Sequence, residues 1–173
     1  MLTKFLFTAI ISACTVQPNS YQLQIEATLK QVTGSMSELY AHIDKMEDLA
    51  LIDAYRARVR ELLDALIQIE SSGNDKAVGD KGKALGALQI HKVYWQDAVE
   101  RFQVLRDHDY EFVLNREYAE RITVAYWMRY ASQALADRDF ETLARMHNGG
   151  VTGPKKKATL RYWKRVDAWL KKN

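Results

Sequence analysis

A single cysteine, Cys14, is all the thiol this chain of 173 residues carries. No intrachain disulfide can form, so packing must hold the fold, and a zinc site built from cysteines is ruled out. Only two prolines interrupt the chain, which leaves long helices unobstructed. No apolar run approaches the roughly twenty residues that a membrane-spanning helix needs. The stretch from Phe5 to Ala13 stops well short of it. The four histidines are scattered and lack the partner clusters that hold a metal. No metal or cofactor is therefore expected. Internal repeats and low-complexity segments are also missing.

What is present reads as globular: 47% hydrophobic and 27% charged residues, at a length that suits one domain with additions. The net charge of +3 is unevenly placed. Beyond residue 150 stand Lys155, Lys156, Lys157, Arg161, Lys164, Arg165, Lys171 and Lys172 against one acid, Asp167. A basic end on an acidic body is drawn to anionic surfaces, whether nucleic acid, lipid or wall polymer. At the other end, "MLTKFLFTAIISAC" places a lysine, an apolar stretch and small residues before a cysteine, the layout of an export signal. Ile11-Ser12-Ala13-Cys14 resembles the bacterial lipobox. That resemblance implies Cys14 as a lipid attachment point, on a protein exported to the periplasm or cell envelope. Residues 1–19 are accordingly expected to be a signal segment and not fold.

From Ile25 the apolar residues keep a strict register: Ile25, Leu29, Val32, Met36, Leu39, Ile43, Met46 and Ala50. Alternating steps of four and three make a heptad seam, which predicts a helical stalk or coiled coil over 20–52 and self-association through 25–50. The competing reading is an amphipathic helix folded back on the body. Asp53 is a candidate cap for a second helix ending near Ser71, with Leu62, Leu63, Leu66, Ile67 and Ile69 forming a broad buried face. Residues 77–90 read as one hairpin, Ala77-Val78 against Ala84–Ile90. Helices are expected again in "WQDAVERFQVL", "REYAERITVAYWMRYASQALA", "DFETLARMH" (capped by Asp139 and stopped at Asn148-Gly149-Gly150) and "ATLRYWKRVDAWLKK". In that last helix Leu160, Trp163, Val166 and Trp169 or Leu170 form the expected buried stripe. The body, 53–173, is thus mainly α (α+β), with a small hairpin lobe facing the end of the second helix.

Two carboxylates stand out, one just before that hairpin and one in its turn. Glu70 ends an apolar helix, where sparing hydration and the negative end of the helix dipole favour the protonated form of an acid. Asp80 sits in the hydrated turn "GDKG", where an acid stays ionised. Two acids set apart by their surroundings can break a glycosidic bond, one protonating the leaving oxygen while the other attacks or stabilises the sugar cation. Spacing alone does not select this pair, because aspartate also favours turns for structural reasons, and Asp75 competes for the second role. Ser71 and Ser72 lack a histidine–acid partner, so a serine nucleophile is not expected.

The blocks "IQIESSGND", "AVGDKGKALGALQIHKVYWQDA", "ITVAYWMRYA" and "LARMHNGGVTGPKKKATLRYWKRV" resemble, in that order, the invertebrate-type lysozyme (destabilase) family. The likeness runs over about residues 55–170, without the many cysteines of the animal members. It implies a lysozyme-like fold of a helical lobe and a small β lobe, with peptidoglycan strands in the groove between them. It implies cleavage of the bond between N-acetylmuramic acid and N-acetylglucosamine. The family's glutamate acid falls on Glu70 and its aspartate on Asp80. Gln89 lies where the family's hairpin meets the cleft, facing either sugar or its own backbone. Tyr94 offers an aromatic face to a sugar ring, while burial statistics favour the core for Trp95. His147, Asn148 and Gly149 lie at a helix end beside the expected groove. The partner this implies is wall glycan and not nucleic acid. A lytic transglycosylase using Glu70 alone, and a non-catalytic wall-binding or assembly lipoprotein, are the alternatives.

Overall fold

The computed structural model of the protein describes residues 20–173. The expected export signal and the lipid-attachment reading of Cys14 lie outside the described residues. Contacts divide the chain into a first unit that ends at His42 and a second, Ile43–Asn173. Helix α1 runs Ser20–Arg58 without interruption. No helix among the described residues is long and apolar enough to cross a membrane.

Asp53 is not a helix cap. It lies inside α1, where its carboxylate accepts hydrogen bonds from Nε and Nη2 of Arg121, both at 2.9 Å. The chain kinks six residues later, at the fully buried Val59 (φ −114°, ψ 24°), and α2 follows as Arg60–Ser71. The kink needs no breaker residue, because burial of Val59 and the tertiary ion pairs around it fix the path. Arg56 and Arg60 reach the buried Glu120 at 3.3 and 2.9 Å. Inside α2 the residues Leu62, Leu63, Ala65, Leu66 and Ile67 are all buried, each leucine or isoleucine contributing about 1.5–3 kcal/mol of apolar burial. The helix stops at Ser72, which turns left-handed (φ 53°) so that the Ser72 and Gly73 amides bond back to Gln68 and Ile67. Glu70 is thereby left in the last turn.

The expected hairpin is a three-stranded antiparallel sheet, ordered β1 (Val78–Gly79), β2 (Ala84–Leu85) and β3 (Ile90–His91). Val78 faces Leu85, and Leu85 faces Ile90. The single strand expected over Ala84–Ile90 is split by a turn at Gly86–Gln89. Gly86 adopts φ +78° and packs so close to the Val113 carbonyl that a β-carbon would overlap it. The turn is closed by the Gln89 amide on the Gly86 carbonyl at 3.1 Å. Alternating side chains do not report a one-glycine reversal inside an apolar run, so the sequence alone reads straight through it.

The remaining helices are α3 (Lys92–Arg101), α4 (Arg116–Tyr130), α5 (Ser132–Asp137), α6 (Phe140–Gly149) and α7 (Thr159–Leu170). The one helix expected over 116–136 is broken at Ala131 into α4 and α5. Helix α4 is the centre of the core: Ile122, Val124, Ala125 and Trp127 have no solvent exposure. Asn115 caps it through the Tyr118 amide, and Asp139 caps α6 through the Thr142 amide, as the sequence predicts for α6. In α7 the buried positions are Thr159, Tyr162 and Val166. Leu160, expected in that stripe, is exposed. The inner face is rotated towards Tyr162 because Thr159 is drawn in by hydrogen bonds to Gly153 and Arg145.

Two outcomes follow. Gly86→Ala forces an L residue into the left-handed region and against a backbone oxygen. Urea unfolding should show a loss of about 2 kcal/mol or more. Arg121 holds the Asp53 carboxyl below its ordinary range. A depressed carboxylate stabilises the fold above its unfolded pKa of about 3.9 and stops doing so as pH falls through the lower folded value. Asp53→Asn should therefore lower the melting temperature at pH 7 and flatten its fall below about pH 4, measured by thermal melts across pH.

Candidate active site

Glu70, in the last turn of α2, has a side chain 19% exposed. Among the described residues it pairs with no lysine or arginine. Its ion-pair neighbour is His147 on α6, with Nε2 3.9 Å from Glu70 Oε1. A second neighbour, not expected from the sequence, is Tyr162 of α7. Burial above all holds the proton on the Tyr162 hydroxyl, and the negative charge of Glu70 beside it pushes the same way. That hydroxyl meets no partner within strict hydrogen-bond geometry, so it faces Glu70 at loose range. Arg165, one turn along α7, donates to the Ile69 carbonyl at 3.3 Å and fixes the backbone beside Glu70.

His147 ties this acid to the sheet. Its imidazole is 4% exposed, and Nε2 lies 3.1 Å from the Leu88 carbonyl. A carbonyl only accepts, so Nε2 carries the proton. Nδ1 then accepts from the Tyr94 hydroxyl at 3.5 Å. Burial pushes the imidazole pKa down, and the opposing pull of the Glu70 charge is smaller.

Leu88 is followed by Gln89, which takes φ +48° in the turn between β2 and β3. The Gln89 amide nitrogen donates to Gly86 at 2.9 Å, and its carbonyl oxygen lies against the α-carbon of Gly79, where a β-carbon would collide with it. Asp80 follows Gly79. A chain of contacts thus runs from Glu70 through His147, Leu88 and Gln89 to Gly79 and Asp80. The two acids expected to act together sit at its two ends.

Asp80 and Lys81 both take left-handed backbone angles (φ 44° and 56°). Aspartate tolerates that region better than most residues. The Asp80 side chain is 60% exposed, 3.6 Å from His91 Nε2. Asp75 is placed differently. Arg116 Nε holds its carboxylate at 2.6 Å, and the pair lines a separate cavity of about 650 Å³ with Lys76, Glu111 and Asn115.

The other predicted residues divide. Tyr94 is buried (8% exposed), its ring stacked on Tyr126 at 3.7 Å. It offers no open face to a sugar and acts instead as the floor under His147. The reading of Tyr94 as a sugar platform fails because its helix, α3, turns that position towards α4. Trp95, expected in the core, packs there and donates to the Tyr118 hydroxyl at 2.9 Å. Asn148 is exposed, and Gly149 abuts Thr159 where a β-carbon would come within 2.7 Å of its methyl. Lys156 Nζ secures the Gly149 carbonyl at 2.6 Å.

The tautomer is measurable. Nitrogen-15 NMR of the imidazole at pH 7 should report a neutral ring protonated on Nε2, with titration displaced below the ordinary value of about 6.5. A base held neutral by burial stabilises the fold above that value and loses the contribution as pH falls through the lower folded pKa. An imidazolium signal at pH 7 would refute the assignment.

Comparison with known proteins places this geometry. The Destabilase family model matches residues 60–168, more than half of the chain and all of the elements that form the site. A protein named "Lysozyme" from Magallana gigas is 31% identical over 81 residues, 47% of this chain and 56% of that protein. "Lysozyme 1" of Crassostrea virginica is 32% identical over 84 residues, 48% of this chain and 43% of that one. The chain thus spans about half the length of the curated relatives it matches. A chain in the crystal structure of Aeromonas hydrophila PliI in complex with Meretrix lusoria lysozyme superposes with a TM-score of 0.51 at 28% identity, covering 62% of this chain and 87% of that one. The mainly α, lysozyme-like architecture expected from the sequence is therefore the one observed, and the chain belongs to the destabilase family of invertebrate-type lysozymes.

Proposed function

We propose that this protein is a peptidoglycan muramidase, hydrolysing the β-1,4 bond between N-acetylmuramic acid and N-acetylglucosamine. Glu70 serves as general acid and Asp80 as the nucleophile or charge stabiliser. The observation that carries this reading is the kind of partner each acid has. Asp53, Asp75, Glu61, Glu100, Glu120 and Glu141 are all held by arginine. Among the described ion pairs, Glu70 and Asp80 alone face histidine. An arginine fixes a carboxylate as an anion and blocks proton transfer. Burial disfavours the charged form of His147, so Glu70 faces an imidazole and not a fixed guanidinium.

The two environments suit two roles. Glu70 sits against the buried ring of Tyr162 and beside an uncharged His147, where protonation of a leaving oxygen is favoured. Asp80, exposed just after β1, takes the role of nucleophile or charge stabiliser towards the developing sugar cation. Gln89, with its carboxamide already bonded within the turn, serves to hold Gly79 and Asp80 in place. Asn148 is the exposed polar group on the α6 side, available to sugar hydroxyl and acetamido groups. The lysozyme names of the relatives support the same substrate class.

The basic end also finds a place. Lys157, Arg161, Lys164, Arg165 and Lys172 are all exposed along and beyond α7, and Arg165 reaches the Ile69 carbonyl beside Glu70. A cationic surface next to the acid favours a polymer bearing carboxylates or phosphates, as wall material does. An exported, envelope-anchored protein would meet that polymer directly.

Digestion of purified sacculi tests the reading. Glu70→Gln should cut fragment release about 10²–10⁴-fold, the usual range for loss of a general acid. Asp80→Asn should cut it to a similar degree, and the wild-type fragments should carry hydrated reducing ends by mass. Anhydromuramyl ends with an active Asp80→Asn would assign the one-acid transglycosylase route instead. Binding to sacculi with no release by wild type would leave a wall-binding protein.

A further inference from the structure

The region matched to the family begins at residue 60, and what precedes it has its own physical logic. Along α1 the side chains of Ile25, Leu29, Val32, Met36, Leu39, Ile43 and Met46 are 40–59% exposed. They form one stripe with alternating steps of four and three. The opposite side of the helix carries Lys30, Ser37, Glu38, Asp44 and Lys45. A helix that packs on a globular core repeats at 3.6 residues with a broad apolar face, whereas a repeat of 3.5 keeps facing a partner only if both helices supercoil. The period therefore specifies another helix of the same kind.

We propose that α1 pairs with α1 of a second copy of this chain as a parallel, in-register coiled coil, with Leu29, Met36 and Ile43 at one set of core positions and Ile25, Val32, Leu39 and Met46 at the other. Charge sets the direction. In the heptad, Glu26, Thr33, Tyr40 and Glu47 follow the second set, and Thr28, Ser35 and His42 precede the first. A parallel pair sets His42 of one copy against Glu47 of the other and opposes no two acids. A fully overlapped antiparallel pair sets Glu26 against Glu47 twice, a like-charge contact that disfavours it. An anionic lipid surface is a poorer occupant, because Glu26, Glu38, Asp44 and Glu47 outnumber Lys30 and Lys45 on this segment. The pairing is independent of the reading of Glu70 and Asp80.

The test uses the full chain carrying Cys14→Ser, so that an introduced cysteine is its single thiol. Analytical ultracentrifugation should give a dimer mass at micromolar concentration. Leu39→Asp should convert it to a monomer, with the melting of the body and any glycan cleavage unchanged. Val32→Cys should form a disulfide-linked dimer on mild oxidation. In the antiparallel overlap the two copies of residue 32 lie about 16 Å apart, beyond the roughly 7 Å that a disulfide spans between α-carbons. A monomeric mass for the parent, or a dimer that Leu39→Asp leaves intact, overturns the pairing. A dimer in which Val32→Cys does not cross-link overturns the parallel order.

Discussion

The buried imidazole of His147 is the joint on which the rest of the site depends. It is supplied by α6, bonded to a carbonyl of the sheet turn, floored by Tyr94 of α3 and set against the carboxyl at the end of α2. Four separate elements thus meet at one ring with two nitrogens. Nε2 faces the Leu88 carbonyl, which only accepts, so the tautomer, the ring orientation and the position of Leu88 are determined together. Through Leu88 and Gln89 the same bond sets the turn that carries Gly79 against Asp80. Burial keeps the ring uncharged, and an uncharged ring is what allows an acid nearby to act as something other than half of an ion pair.

Arginine supplies the contrasting half of the design. The body is tied together by guanidinium–carboxylate pairs: Asp53 to Arg121, Glu120 to Arg56 and Arg60, Asp75 to Arg116, Glu100 to Arg129. Glu120 is the costly member, since its side chain is only 3% exposed and breaking such a pair strands a buried charge. These pairs join the foot of α1 to α4 and the loop after α2 to the start of α4. These acids are thus held by arginine, whereas Glu70 and Asp80 face histidine.

Much of this was legible in the sequence, and the misses have physical causes. The end of α2 at Ser71, the α6 cap at Asp139 and the stop at Asn148-Gly149-Gly150 rest on local rules, set by residues a few positions apart. Such rules survive folding. Asp53 obeys the same rule on paper but sits mid-helix, because Arg121, sixty-eight residues away, offers it a stronger partner than an amide. Tyr94 looks amphipathic, and only the packing of α3 on α4 decides that its ring is covered. Tyr162 was missed because the stripe of α7 has apolar residues on several sides, and its true inner face is chosen by Thr159, a polar residue buried through its own hydrogen bonds. A polar residue that faces inward carries no hydrophobic signal. The spacing Thr159, Tyr162, Val166 was the clue available.

Helix α1 shows that one element can serve two ends under different rules. From Ile52 to Arg58 it is part of the body: Ile52 is fully buried, Asp53 and Arg56 are ion-paired, and Arg58 bonds the Ala136 carbonyl at 2.7 Å. From Ile25 to Met46 its apolar residues are exposed and in heptad register. An isolated helix gains little from propensity, and Gly34 costs about 1 kcal/mol relative to alanine. The exposed stretch therefore depends on what its apolar stripe meets, while the buried stretch depends on arginines and core contacts that the family region supplies. The ion pairs of Asp53 and Arg56, which tie the buried stretch to α4, lie beyond Ile52 from the exposed stripe.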